Sequence, residues 1–160
     1  MFTAAGLKAF HAAAHSSLDV LLAHLETMPA NLLLTDLPSF ARPNIRDQVF
    51  HTIACEIFWI HGLQLLPLPK LSAEDYLTAE SLAEFKRRAM AETIGYLDRQ
   101  TEDELNRILP RVPERWLGPP RSPAFIVHHV LTHAYHHKGQ VVAMCRLLDH
   151  PAPDTDYQRG

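Results

Sequence analysis

Prolines cut this chain into stretches of helical length, and their placement limits the fold more than any other feature. Met28-Pro29, Pro38, Pro43, Pro67, Pro69 and Pro110 fall between apolar-periodic segments, and Pro123 opens the last one. Proline breaks a helix from inside but is welcome in its first turn, so each one marks an end or a start. The first segment covers about residues 3–27, with Leu7, Phe10, Leu18, Leu21, Leu22 and Leu25 on one stripe. The second covers about 45–66 behind Asn44 as N-cap. Its apolar residues run nearly all the way round, as in a central, buried helix. The third is placed at about 82–99 behind a Ser81-x-x-Glu84 capping box, with a short turn before it. Thr101-x-x-Glu104 repeats the box and opens one more turn. A short hairpin is expected through Ile108–Val112 and Glu114–Leu117. Ser122-Pro123 then reads as N-cap and first residue of a fourth helix reaching about Leu148. Four amphipathic helices predict one all-α domain over residues 1–160, a four-helix bundle with long connections.

Composition removes several function classes. A chain of 160 residues, 47% hydrophobic and 21% charged, can bury a core without disulfides. Its net charge of −3 argues against a nucleic-acid partner, which calls for a basic footprint. No apolar run approaches the ~20 residues of a membrane span, and the N-terminus lacks a signal-peptide pattern, so a cytoplasmic location is expected. Cys55 and Cys145 form no CxxC pair, which leaves no zinc ribbon or disulfide framework. There is no HExxH, Glu-x-x-His, GxSxG or phosphate-binding glycine loop.

Histidine is the anomaly. The chain has 11, and His128, His129, His133, His136 and His137 share one ten-residue window. Imidazoles four apart on a helix point the same way, and imidazole is the commonest metal-binding side chain. The apolar stripe of the fourth helix is Val130, Ala134, Val141, Cys145 and Leu148. His137 projects within it and His133 at its edge, whereas His128, His129 and His136 turn to the polar side. A catalytic metal site needs a third protein ligand and an open position. His51, in the most apolar helix, is the best candidate, because an imidazole there needs a hydrogen-bond partner or a metal. Periodicity alone does not reject the rival pair His11 and His15. Cys55, one turn after His51, is read as a small core residue before an extra ligand. Glu56 lies off the His51 face, Tyr135 and Gln140 are possible orienting groups for which ordinary surface or interhelical polar contacts are the simpler account, and Phe50, Phe58 and Trp59 read as packing. Arg111, Arg115 and Arg121 cluster in the loop before the fourth helix, where a solvated loop is the simpler account.

The string His133-Ala134-Tyr135-His136-His137-Lys138-Gly139-Gln140 resembles the H-x-x-x-H-[RK]-G-Q signature of the DinB/YfiT-like superfamily, with Lys138 where arginine is commoner. His51, Trp59 and the proline- and aspartate-containing tail at 149–156 are similar to that family's pattern too. The resemblance implies a four-helix bundle of non-simple topology. It also implies a divalent metal held by three histidines, which map to His51, His133 and His137, and so favours these over His11/His15. Several members of the family are thiol-dependent S-transferases or isomerases that use a low-molecular-weight thiol, and relatives often form dimers. The resemblance therefore implies a small-molecule substrate and a homodimer. An all-imidazole site suits zinc or nickel better than magnesium. The alternative is a non-catalytic module that binds metal or a small ligand.

Overall fold

The computed structural model describes residues 1–110 and 118–156. Among these, four long helices and one short one carry the fold: α1 Ala4–Thr27, α2 Ile45–Gln64, α3 Ala79–Asp98, α4 Glu102–Asn106 and α5 Pro123–Leu147. The architecture is the expected all-helical bundle, with no strand among the described residues. The expected hairpin falls largely on residues 111–117, outside those described, as do Arg111 and Arg115.

The helices begin where the chain supplies caps. Asn44 accepts from the Asp47 backbone at the start of α2, and Ser122 does the same for Phe125 in α5, with Pro123 at the first position. Thr101 and Glu104 form the expected capping box of α4. The start of α3 departs from expectation. Its cap is Thr78, which exchanges hydrogen bonds with Ser81, so Ser81 lies inside the helix and the Ser81/Glu84 box is not used. The turn expected before α3 is the 3-10 turn Ala73–Asp75. At the other end of α2, Leu65 adopts a left-handed conformation (φ 56°) and the prolines beyond it lead the chain away.

Neighbour relations fix an unusual order. α2 packs on α3 and α5, and α1 packs on the same two, so α1 and α2 lie on one diagonal of the bundle. Side-chain pairs give the directions. Gln48–Gln140, His51–His137 and Trp59–His129 make α2 and α5 antiparallel. Phe50–Phe85, Glu56–Thr93 and Gln64–Arg99 make α2 and α3 parallel neighbours. Parallel neighbours require residues 65–78 to travel the length of the bundle. At ~3.3 Å per extended residue the segment readily exceeds the ~30 Å of a 20-residue helix. It climbs the outside of α2, where Leu68, Pro69 and Leu71 face Phe50, Phe58 and Trp59.

Two apolar clusters fill the interior. One joins Leu18, Leu21, Leu22, Leu25, Ile45, Val49, Ile53, Leu82 and Phe85, and the other joins Leu7, Ile60, Leu97, Leu105, Val127 and Leu131. Cys145 sits wholly in the core, where burial pushes its thiol up to about 11, so it is inert as expected. Lys138 is also buried. Its ammonium lies 4.4 Å from the Tyr135 ring centroid and donates to Ser17 Oγ and to the Thr155 carbonyl, and Ser17 Oγ bonds the same carbonyl at 2.7 Å. The basic residue of the HKGQ string thus ties the C-terminal tail to α1. No described helix is long and apolar enough to cross a membrane.

Candidate metal centre

The antiparallel contact of α2 with α5 brings His51, His133 and His137 together. Their ring centroids lie 5.3 Å (His51–His133), 4.7 Å (His51–His137) and 4.3 Å (His133–His137) apart, and the Nε2 atoms of His51 and His133 are 3.3 Å apart. Burial pushes His51 down to about 4, with Arg42 and His137 adding to the effect. His133 is likewise pushed down to about 4, by burial and then by the surrounding histidines. Near neutral pH both rings therefore keep an uncharged lone pair, which is the form that ligates a metal.

The third ring is oriented from behind. His137 Nδ1 donates to Gln48 Oε1 at 2.9 Å, and Gln48 in turn donates to Gln140 Oε1. That holds the hydrogen on Nδ1 and leaves Nε2 with the lone pair. Gln140, for which an ordinary polar contact is the simpler expectation, lies with Oε1 3.2 Å from His137 Nδ1. Gln48 is not among the residues the sequence singles out, although an uncharged amide in the most apolar helix is a signal the sequence carries, and the structure buries it completely.

Cys55 enters the same geometry. Its Sγ lies 3.6 Å from both ring nitrogens of His51, and His51, Cys55 and His133 bring three possible ligand atoms within 4.8 Å of one another. His137 stands beside that trio, against both histidine rings. The sequence reading of Cys55 as a core residue is corrected: it is half-buried at the site because α2 turns this face toward the climbing segment.

A recess of about 440 Å³ opens from His51, within the ~300–1,000 Å³ of small-molecule sites. Phe50, Ala54, Cys55, Phe58 and Trp59 of α2 form one wall, Leu68, Pro69 and Leu71 of the climbing segment the other, and Arg42 stands at the edge. The α2 aromatics are therefore cavity walls as well as packing. A second recess, about 390 Å³, is lined by Leu25, Glu26, Leu33 and Glu80 and holds no histidine.

Other expectations are redrawn. His129 is only partly exposed: its ring lies 5.8 Å from Trp59 and stacks on His133, while His128 packs on Phe2 and Phe10. α5 touches both α1 and α2, so its covered arc is wider than one stripe. Tyr135 stacks on Phe10 of α1, away from the histidines. Arg121 lies over the Phe125 ring.

The rival pair has its own partner. His11 Nε2 and His15 Nε2 donate to the two oxygens of Glu56 at 2.7 and 2.9 Å, and Thr93 Oγ1 donates to Oε1 at 2.6 Å. Burial alone would raise the Glu56 carboxyl, but the hydrogen bonds from His11 and His15 and their attraction outweigh it and hold the group below the usual carboxylate range. Both Nδ1 atoms are buried without partners. As bare lone pairs they are tolerable. A metal at Nε2 would turn each into an unpaired N–H donor, against the usual supported arrangement. The trio, the second group of possible ligands among the described residues, reads as a closed polar bridge across the bundle diagonal.

The fold has relatives. The structure matches that of a DinB-like protein from Bacillus cereus (TM-score 0.67, 16% identity, covering 91% of this chain and 94% of that one). It also matches a conserved protein from Enterococcus faecalis (TM-score 0.67, 17% identity, 92% and 98%). No curated protein matches. The DinB family model matches residues 2–160, nearly the whole length that carries the histidine signature and the bundle, and the chain belongs to the DinB family.

Proposed function

We propose that this protein is a divalent-metal-dependent enzyme of the S-transferase type, with His51, His133 and His137 as ligands. The observation that carries the reading is the convergence of three imidazoles, two of them uncharged near neutral pH and the third oriented by Gln48, with one of them, His51, lining the 440 Å³ recess. The donor set fits a borderline metal such as zinc or nickel. Such an ion supplies undiminished positive charge, which lowers the pKa of a thiol or water at neutral pH. The chain contributes the rest. Gln48 and Gln140 hold the His137 tautomer, the α2 aromatics and Leu68, Pro69 and Leu71 exclude water from one side, and the recess admits a small electrophile beside the thiol.

Metal content by elemental mass spectrometry, on tag-free protein, tests this. Wild type is expected to carry about one equivalent, lost in His51→Ala and in His133→Ala and retained in His129→Ala. Retention in His133→Ala sinks the ligand assignment. A second reading follows from Cys55: four protein ligands would close the site and make it a binding module without catalysis. Cobalt substitution separates the two. The three-histidine enzyme gives no thiolate-to-cobalt charge-transfer band and keeps its metal in Cys55→Ser, whereas the closed site gives the band and loses metal.

A further inference from the structure

We propose that Arg42 is the residue that selects an acidic group on the substrate, and that metal loading is what frees it to do so. The inference rests on the metal reading above. Arg42 stands at the edge of the recess and donates from Nη2 to His51 Nδ1 at 3.2 Å. A neutral imidazole has one lone pair and one N–H. The Arg42 contact uses the lone pair, which leaves the hydrogen on Nε2, directed at His133 Nε2 3.3 Å away.

His51 cannot hold a metal and accept from Arg42 together. If His51 ligates through Nδ1, the lone pair that Arg42 occupies is taken. If it ligates through Nε2, the ring hydrogen moves to Nδ1 and meets the guanidinium donor head-on. Either way the guanidinium is released, still charged, at the rim of a cavity whose other walls are Phe50, Phe58, Trp59 and Leu68. Guanidinium is a planar donor fork suited to carboxylate, sulfonate or phosphate oxygens. The matching ligand is a small molecule with an apolar body and one anionic group, its body along the α2 aromatics and its anion on Arg42. Arg42 also acts as an internal competitor: it covers His51 until a metal takes its place.

Two titrations test this on purified wild type and Arg42→Gln. The first measures zinc affinity by competition with a chromophoric chelator. The second measures binding of hexane-1-sulfonate and of hexanol to zinc-loaded and zinc-free protein by calorimetry; the sulfonate is a weak metal ligand, so it reports the arginine. The expected result is zinc binding several-fold tighter in Arg42→Gln. Hexanesulfonate should bind zinc-loaded wild type about tenfold more tightly than either zinc-free wild type or zinc-loaded Arg42→Gln, with hexanol unchanged. If both proteins bind one zinc equally well and sulfonate affinity ignores Arg42, the inference is overturned and the metal reading stands. If neither protein binds zinc, both fall together.

Discussion

At the scale of single residues, the site depends on groups that bind nothing themselves. Gln48 fixes the hydrogen of His137 on Nδ1, and without it the ring has no preferred tautomer from the α2 side. Gln48→Leu keeps the shape and removes the nearer acceptor, leaving Gln140 Oε1 at 3.2 Å. It is expected to weaken zinc binding about 10- to 100-fold while leaving helix content by circular dichroism unchanged; equal affinity in the two proteins would show that Gln48 serves packing alone. Glu56 teaches the same lesson. In the sequence it is a charge in an otherwise apolar helix, and His11 and His15 are a pair without a third member. Their hydrogen bonds span 45 and 41 positions, so no local pattern joins them. The signature string, by contrast, is local: Gln140 follows His137 by three, on the same face of one helix, so spacing makes the contact possible, although an ordinary polar contact is the simpler reading until the structure places Gln140 Oε1 on His137 Nδ1.

At the scale of elements, periodicity and capping locate a helix start wherever one cap stands alone. Asn44, Thr101 and Ser122 had no competitor. Thr78-x-x-Ser81 and Ser81-x-x-Glu84 overlap, and the sequence cannot choose between them. Packing does, because Ala79 and Leu82 are both buried, so the helix must already have begun at Ala79. Within α5, Gly139 is exposed and has open space where a Cβ would stand, so nothing in the bundle requires glycine there. Gly139→Ala is therefore expected to stabilise the protein by about 0.5–1 kcal/mol, measured by urea unfolding. A loss of stability would mean that another surface, such as a second copy of the chain, lies against this face.

At the scale of the whole molecule, buried imidazoles make the metal-free protein sensitive to acid. His51 and His133 stay neutral down to about pH 4 in the folded state, and burial also lowers His15. Unfolded histidines take up protons near the ordinary imidazole pKa of about 6.5, so between there and about 4 the unfolded state binds more protons and gains. Below the ordinary carboxyl range, protonation of Glu56 in the unfolded chain adds to the loss in the same direction. Melting temperatures in chelator should fall steadily from about pH 7 to about pH 4, and a His133→Gln variant should fall less. A flat profile for wild type would contradict the burial of these rings.

The sequence by itself determined the order and approximate extent of the helices, through prolines and caps except at the start of α3, the apolar faces of those helices, and the i, i+4 pairing of His133 with His137 on α5. These are near-neighbour properties, set by backbone sterics and a 3.6-residue repeat. Only the tertiary structure decided that α1 and α2 lie on a diagonal bridged by Glu56, and that residues 65–78 climb past α2 to make a cavity wall. It alone placed Arg42 on His51 and Cys55 beside the imidazoles. Each of these depends on which helix faces which, a choice made by the summed burial of the whole core and by the reach of the connections, and no stretch of neighbouring residues encodes it.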